Sequence, residues 1–383
     1  MTTRRMLIKS AVAAGALLGT GTGIGTGLGS RTAHARPSRD LVLRLPAPTG
    51  PYPVGATTLH LTDHTRPDPW KPELPSRELM LTVFHPARTA HGHPPAPHMS
   101  PGAAALVPHI DAVHLHPELP TSGVNWAATP THAHLGAPAL PGRHPVLLYT
   151  PGGGDPRTLG TGLAEDLASH GYVVVSVDHP GETTEVEFPD GRIVTTELGG
   201  NPKEDTALFH RMIDARLADV AFVLDQLPSL LDGLGIRSGG LISIYGHSAG
   251  GTTAAQTLHD DPRVRAAVNL EGYLDDPSGA LFPIARDRVT RPLLLAGTDG
   301  FRDARFDRSW SAARGRVRIR RLNGADHWVF TDYAAFAPQL QAAGLMTPAA
   351  RAGFVGPIAP SRSIPWVRSA VRSFFRTALP TRP

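Results

Sequence analysis

One serine stands between glycines in the stretch LISIYGHSAGGTTAAQ, residues 241–256. The motif Gly246-x-Ser248-x-Gly250 follows a short apolar run and precedes a run of small residues, so it lies between a predicted buried strand and a predicted helix. A connection this tight leaves no space for side chains two positions before and two positions after the serine, which would explain both glycines. Amides at the helix N-terminus could stabilise an oxyanion there. This setting predicts a serine nucleophile; a helix-capping serine in a glycine turn is the alternative.

A serine nucleophile needs a general base, and the sequence favours His327. Where an elbow of this kind occurs, the chain order is nucleophile, acid and histidine. His327 follows the predicted strand RVRIRRL and a glycine-containing loop, about 80 residues after Ser248. Of the 19 histidines, only His259 also follows Ser248, and it lies beside the predicted helix. By elimination we expect His327 to be the base.

Two carboxylates qualify as the third member of the set. Glu271 follows the apolar run VRAAVNL, and Asp299 follows RPLLLAGT one strand later. Either one could hold His327 in the required tautomer and stabilise its imidazolium form. The residues alone leave both candidates open; the one not used would be a solvated loop carboxylate or a helix cap.

A run of three glycines, Gly152 to Gly154, follows the strand-like stretch PVLLYT. Backbone without side chains can approach a substrate closely, so this loop resembles an oxyanion-binding element. We expect the amides of Gly153 and Ala249 to be the two donors. A simple glycine turn is the alternative.

The elements around these residues predict one α/β domain over residues 36–383. Continuous apolar strands at 145–150 and 172–180 alternate with helical patterns, of which 206–231 is the strongest. Such strands are typical of a mostly parallel sheet with helices on both faces. A further helix is predicted near 365–378.

Three segments interrupt this alternation. Residues 52–86 predict two antiparallel strands at an edge of the sheet, and residues 183–197 predict a hairpin around Asp190-Gly191. Residues 87–144 are rich in proline and histidine and show little periodicity, which predicts an irregular surface excursion. The hairpin region and the excursion would wall a substrate pocket.

The first 35 residues have the pattern of an export signal. TRRMLIK at residues 3–9 resembles a twin-arginine motif, a weakly apolar segment follows, and AHA at 33–35 predicts cleavage near Ala35. We therefore expect a secreted protein, with an uncleaved membrane anchor as the alternative.

Charge and cysteine content exclude several classes of function. Outside residues 1–35 the chain has 33 basic and 33 acidic side chains, which argues against a nucleic acid partner. The sequence contains no cysteine, so disulfides, cysteine–metal sites and a cysteine nucleophile are excluded.

A cluster of histidines within 44 residues raises the alternative of a metal-binding protein. Its members are His91, His93, His98, His109, His114, His116, His132 and His134. No regular helical pair carries them, and Asp111 and Glu118 are the carboxylates among them. An exposed loop without a metal is the favoured interpretation.

The C-terminal stretch PWVRSAVRSFFRTALPTRP interleaves arginines with Trp366, Val367, Phe374 and Phe375. Peripheral contact with a lipid surface is one interpretation. A final helix that packs its apolar side on the domain is the favoured one.

Several stretches resemble the plasma-type platelet-activating factor acetylhydrolases. YTPGGGDPRTLGTGLAEDLASHGYVVVSVDHPGE, GHSAGGTTA, VNLEGYLDD and NGADHWVFTDY match that family in order and spacing, over roughly residues 50–380. The resemblance implies an α/β-hydrolase fold and cleavage of short or oxidised acyl chains from phospholipids, without a metal or other cofactor.

Carried onto this sequence, the resemblance implies Ser248 as nucleophile, His327 as base and Glu271 as acid. The family has aspartate at the acid position, so Glu271 is longer by one methylene, and Asp299 stays open. Pro151 and Gly153 stand where family members commonly carry histidine and a larger residue, so we expect differences in the oxyanion loop and in the substrate.

The expected function is that of a secreted serine esterase acting on a small-molecule or lipid ester. A cutinase, a polyester-cleaving enzyme or a general carboxylesterase on the same fold is the nearest alternative. A hydrolase fold without catalysis, used only for binding, is a further alternative.

Overall fold

The computed structural model describes residues 40–379. Within them the strands are, in chain order, β1 (Val54–Asp63), β2 (Arg77–Pro86), β3 (Pro95–Pro97), β4 (Pro130–Leu135), β5 (Arg143–Thr150), β6 (Val173–Val177), β7 (Glu185–Glu187), β8 (Ile193–Thr195), β9 (Arg237–His247), β10 (Val264–Leu270), β11 (Arg288–Thr298) and β12 (Arg314–Leu322).

The α-helices in the same part of the chain are α1 (Pro101–Leu106), α2 (Thr161–Ser169), α3 (Thr206–Gly233), α4 (Ala249–Asp260), α5 (Pro283–Arg286), α6 (Ala304–Ala312), α7 (Tyr333–Ala342), α8 (Pro348–Phe354) and α9 (Pro360–Ala378). Short 3₁₀ turns occur at Trp126–Ala128, Arg157–Gly160 and His327–Phe330, and a π-helical turn at Asp111–Leu115.

Ten strands form one sheet in the order β12-β11-β10-β9-β5-β6-β2-β1-β4-β3. The six strands from β12 to β6 all run parallel to one another. β2 pairs antiparallel with β6 and with β1. β7 and β8 pair as a separate antiparallel hairpin, which confirms the hairpin predicted for residues 183–197.

Helices cover both faces of the parallel strands. On β5, Val146 and Leu148 belong to the apolar cluster that includes residues of α3 and α4, whereas Leu147 and Tyr149 belong to the one that includes residues of α2 and α9. β6 reads VVVSV and is buried at every position. A strand buried on both faces has no polar alternation, which explains the continuous apolar runs. The predicted α/β class with a mostly parallel sheet is confirmed.

The prediction that residues 52–86 form an edge of the sheet is wrong, and two parts of the predicted irregular excursion at 87–144 are strands. β4 pairs in parallel with β1, and β3 pairs antiparallel with β4, so this segment extends the sheet by two strands. In β4 the buried Thr131 and Ala133 alternate with more exposed neighbours. These residues are small and polar or weakly apolar, so the strand gives little hydrophobic signal.

The C-terminal helix α9 begins at Pro360, earlier than predicted. Its apolar residues Val367, Val371, Phe374 and Phe375 are buried and belong to the cluster on one face of the sheet. Packing on the domain therefore accounts for the amphipathic pattern. Within residues 40–379 no helix has both the length and the apolar character needed to cross a bilayer. The signal-peptide prediction lies outside the described residues.

Both outer strands of the sheet carry residues that oppose further strand pairing. β3 reads PAP, and proline has no backbone N–H to offer to a neighbouring strand. At the other end β12 reads RGRVRIRRL, and four alternate arginines are exposed: Arg314, Arg316, Arg318 and Arg320. Proline and charge are common ways in which proteins protect the edge of a sheet.

Candidate active site

The chain turns sharply at Ser248, between the end of β9 and the start of α4. Its φ of 53° and ψ of −121° lie where non-glycine residues are rarely found. A Cβ on Gly246 would overlap the carbonyl of Gly250, and a Cβ on Gly250 would overlap the carbonyl of Thr150. Close packing therefore requires both glycines. Ser248 makes no capping hydrogen bond to α4, which excludes the helix-cap interpretation.

Gly250→Ala should destabilise the protein by about 3 kcal/mol, because the new methyl group would meet backbone atoms of a buried strand end. Gly353→Ala is the matched control, since Gly353 also lies in a helix but no atom lies within 4 Å of an added Cβ. There alanine should stabilise by about 0.5–1 kcal/mol. Urea unfolding of both variants measures this, and equal effects would contradict the packing argument.

Glu271 joins the turn after β10 to the ring of His327. Its φ is 62°, and Ser248 and Glu271 are the only non-glycine residues with positive φ between residues 40 and 379. Glu271 Oε2 accepts a hydrogen bond from His327 Nδ1 at 2.9 Å. Oε1 accepts from the backbone N–H of Thr298 and from its hydroxyl, the latter at 2.7 Å. Donors therefore occupy both carboxylate oxygens.

Two contacts place this pair beside Ser248. The ring of His247, the residue before the serine, donates from Nε2 to the backbone oxygen of His327 at 3.0 Å, and the two imidazole centroids are 4.5 Å apart. On the other side, a Cβ on Gly272 would overlap the carbonyl of Ser248. The structure thus places the Glu271–His327 pair next to the turn that carries Ser248.

Asp299 lies elsewhere. Its exposed carboxylate accepts hydrogen bonds from the backbone amides of Gly324 and Ala325, at 2.8 and 3.2 Å. It braces the loop that precedes His327 and makes no hydrogen bond to the imidazole. The geometry therefore favours Glu271 over Asp299 as the partner of the histidine.

Burial determines the protonation of the Glu271–His327 pair. It holds the pKa of His327 well below its usual value, and the nearby His247 and Lys203 lower it further. Burial also raises the pKa of Glu271 to about 7, although the hydrogen bonds from Thr298 oppose this. The ring of His327 stacks on Phe301, with 3.8 Å between centroids, which shields it from water. A neutral imidazole is the form that a general base requires.

The two predicted oxyanion donors lie next to each other. A Cβ on Gly153 would be 3.7 Å from the Cβ of Ala249. Ala249 is the first residue of α4, so its amide has no acceptor within the helix. A hydroxyl on a strained turn, an imidazole held by a carboxylate and two neighbouring loop and helix-end residues suit acyl transfer.

A second set of buried polar groups lies behind the serine and was not found from the sequence. Asp155 is fully buried, accepts a hydrogen bond from His116 Nε2 at 2.9 Å, and lies 3.8 Å from His247 Nδ1. Burial works to raise the pKa of Asp155, but the two histidines outweigh it and lower that pKa overall. His116 comes from the segment predicted as irregular, so no spacing rule could have linked it to Asp155.

The histidines of residues 91–134 do not converge. His98 bonds to Asp332, His116 bonds to Asp155, and His132 bonds to the carbonyl of Leu45. In the part of the chain that the structure describes, no three His, Cys, Asp or Glu side chains are grouped as metal ligands would be. The interpretation of this segment as an exposed loop is also wrong, since His98 and His116 are buried.

Comparisons with known proteins agree with this geometry. No family model matches the sequence. The chain is 27% identical to a probable 1-alkyl-2-acetylglycerophosphocholine esterase of Arthroderma benhamiae, over 95% of this chain and 94% of that protein. It is 23% identical to the platelet-activating factor acetylhydrolase of Cavia porcellus, but that match spans only about half of each protein (50% and 49%).

Among solved structures, a ferulic acid esterase from Streptomyces cinnamoneus superposes with a TM-score of 0.73. It shares 31% sequence identity, and the match covers 90% of this chain and 95% of that one. Sequence and structure thus agree on fold and on reaction type over nearly the whole chain. The protein belongs to the platelet-activating factor acetylhydrolase-like family of α/β-hydrolases and is a carboxylic ester hydrolase.

Proposed function

We propose that the protein cleaves short acyl chains from phospholipid esters, with Ser248 as nucleophile, His327 as base and Glu271 as acid. The observation that carries this proposal is the 2.9 Å hydrogen bond between Glu271 and His327, immediately beside the strained turn at Ser248. The full-length similarity to a probable 1-alkyl-2-acetylglycerophosphocholine esterase supports the choice of substrate class.

In the proposed mechanism the Ser248 hydroxyl attacks the ester carbonyl while His327 Nε2 takes its proton. The carbonyl oxygen becomes an oxyanion, which the amides of Gly153 and Ala249 stabilise. Glu271 stabilises the imidazolium through Nδ1–H. His327 then protonates the leaving alcohol, and an acyl ester on Ser248 remains. Water, deprotonated by His327, attacks this ester and releases the acid, which restores the serine.

The pH dependence should follow the Glu271–His327 pair. Catalysis needs ionised Glu271 and neutral His327, and with a pKa of about 7 for Glu271 the carboxylate is the limiting group. We expect kcat/KM to be highest above pH 7 and to fall as the pH decreases through about 7. Thr298→Val removes the 2.7 Å hydrogen bond to the carboxylate and should move the midpoint up by about one pH unit.

Thr298→Ser is the control for this experiment, because it keeps the hydroxyl and should keep the midpoint. Both pH–rate profiles are measured with p-nitrophenyl acetate between pH 5 and 9. A midpoint that is the same in Thr298→Val and in the parent protein would show that Glu271 does not limit the rate.

A second candidate substrate is an ester of an aromatic acid. The ferulic acid esterase structure matches this chain over 95% of its own length. Its sequence identity of 31% exceeds the 27% and 23% of the two lipid-related proteins. In this chain Phe301 stacks on His327, so an aromatic surface already lies beside the proposed base.

Substrate class is tested with three esters: 1-alkyl-2-acetylglycerophosphocholine, the same lipid with a palmitoyl group in place of the acetyl group, and methyl ferulate. The proposal predicts that kcat/KM for the acetyl lipid exceeds that for the palmitoyl lipid by at least about 100-fold, and exceeds that for methyl ferulate. A preference for methyl ferulate would favour the second candidate.

We further propose that the protein is secreted through the twin-arginine route and cleaved after Ala35. The support is the basic leader, which has four Lys or Arg side chains and no acidic one in 35 residues. N-terminal sequencing of protein collected outside cells should begin at Arg36. Protein that keeps residues 1–35 would contradict this proposal.

A further inference from the structure

A buried arginine of α3 holds the loop that carries Gly153. Arg216 is wholly buried, and its guanidinium donates from Nη1 to the carbonyl of Pro151 at 2.7 Å and from Nη2 to the carbonyl of Gly152 at 2.8 Å. Nη1 also lies 3.3 Å from the hydroxyl of Thr150. One side chain therefore contacts three consecutive residues of the loop.

The hydrogen bond to Gly152 also fixes the direction of the Gly153 amide. The Gly152 carbonyl and the Gly153 N–H belong to one planar trans peptide, in which the two groups point in opposite directions. Because the carbonyl points at Arg216, the N–H points away from it. A Cβ on Gly153 would be 3.7 Å from that of Ala249, so the second amide donor is close by.

This loop needs an external anchor. Three glycines in a row have wide conformational freedom, and a loop of this composition has no side chains of its own to pack. The guanidinium is planar and presents its donors in a rigid fork, so it can restrain two adjacent carbonyls at once.

The charge of Arg216 is balanced by Glu182, which is also buried. Glu182 accepts from Arg216 Nε at 2.7 Å and from Nη2. The carboxylate lies close to the loop, since a Cβ on Gly153 would be 3.8 Å from Glu182 Oε1. Without the arginine, this negative charge would oppose an oxyanion that forms nearby.

We propose that Arg216 is a positioning residue for the oxyanion hole. It orients the Gly153 amide through the Gly152 carbonyl and neutralises Glu182. It touches no reacting atom. The inference depends on the proposed function, because it assigns the Gly153 amide to the transition state of a Ser248-dependent reaction.

Arg216→Lys tests the inference, because lysine keeps the positive charge but loses the fork. We expect kcat for p-nitrophenyl acetate to fall by about 10- to 100-fold, while KM changes by less than about threefold. An alkyl trifluoromethyl ketone forms a tetrahedral hemiketal with the serine. Its inhibition constant should rise by the same factor by which kcat/KM falls.

Arg368→Lys is the matched control. Arg368 is also buried, pairs with the carboxylate of Asp166, and donates to the backbone carbonyls of Pro46, Ala47 and Gly162. It contacts no residue of the oxyanion loop, so its replacement should leave kcat and the inhibition constant within about twofold of the parent values.

If Arg216→Lys does not fold, the double variant Arg216→Gln with Glu182→Gln replaces it, since it leaves no unpaired buried charge. The same loss of kcat at unchanged KM is expected. The inference would be overturned if Arg368→Lys lost as much kcat as Arg216→Lys. It would also be overturned if kcat and the inhibition constant of Arg216→Lys stayed within twofold of the parent values. Ser248→Ala distinguishes failure of this inference from failure of the proposed function. Hydrolysis that survives Ser248→Ala would refute the proposed function itself.

Discussion

Ser248→Ala should lower kcat for p-nitrophenyl acetate by at least about 10⁴-fold, with the fold and the thermal midpoint retained. The alanine removes the only atom that can form the acyl-enzyme, while the turn, the amides and the imidazole stay in place. The residual rate would come from the binding site and the oxyanion donors alone.

The matched control for this loss is Ser243→Ala. Ser243 lies on β9, five positions before the nucleophile, and its buried hydroxyl has no hydrogen-bond partner among the described residues. Removing it should leave kcat within about twofold. Burst kinetics with p-nitrophenyl acetate would count the active serines in the parent protein. If Ser248→Ala and Ser243→Ala were equally active, Ser248 would not be the nucleophile.

Glu271→Gln should lower kcat by about 10³- to 10⁴-fold. In the structure Glu271 accepts from His327 Nδ1 through Oε2 and from Thr298 through Oε1. A glutamine side chain has one oxygen and one NH₂ group. Its NH₂ group must therefore face either the N–H of His327 or the donors of Thr298, and cannot accept a hydrogen bond there. If the NH₂ group faces His327, the ring is held in the wrong tautomer; if it faces Thr298, a buried hydrogen bond is lost.

Asp299→Asn provides the comparison for Glu271→Gln, because it makes the same chemical change at the other candidate acid. Its carboxylate is exposed and braces the amides of Gly324 and Ala325, so asparagine should reduce kcat by no more than about fivefold. Steady-state kinetics of both variants at pH 8 measure the difference. A larger loss in Asp299→Asn than in Glu271→Gln would reverse the assignment.

The sequence was sufficient to predict the residues that depend on local geometry. The turn at Ser248 could be predicted because a strand, a tight connection and a helix leave a signature of glycines at fixed spacing, and the role of Ser248 as nucleophile stays a prediction. The choice between Glu271 and Asp299 could not be made from spacing alone, because each follows a strand of the same sheet. It depends on strand order: β10 lies directly beside β9, and β11 lies one strand further away.

The buried groups that support the site could not be predicted from the sequence, because their contacts are long-range. Arg216 lies on the amphipathic helix predicted at 206–231, where an arginine is ordinarily a solvated side chain. Its burial depends on Glu182 and on two loop carbonyls, none of which follows a local pattern. The same holds for the pairing of His116 with Asp155. Contacts between segments distant in sequence become visible only once the sheet and its loops are assembled.

The two edge strands of the sheet oppose pairing with another molecule in different ways, one through proline and one through charge. This difference determines how two molecules could associate. At the β3 edge two of the three residues are prolines, which have no N–H to donate at any ionic strength. The arginine edge at β12 depends on repulsion between like charges, which salt screens as the Debye length shortens from about 8 Å at 0.15 M to about 3 Å at 1 M. In concentrated brine two molecules could pair β12 against β12. Such a pair would have β3 at both outer ends, so it would stop at a dimer and would not grow into a fibre.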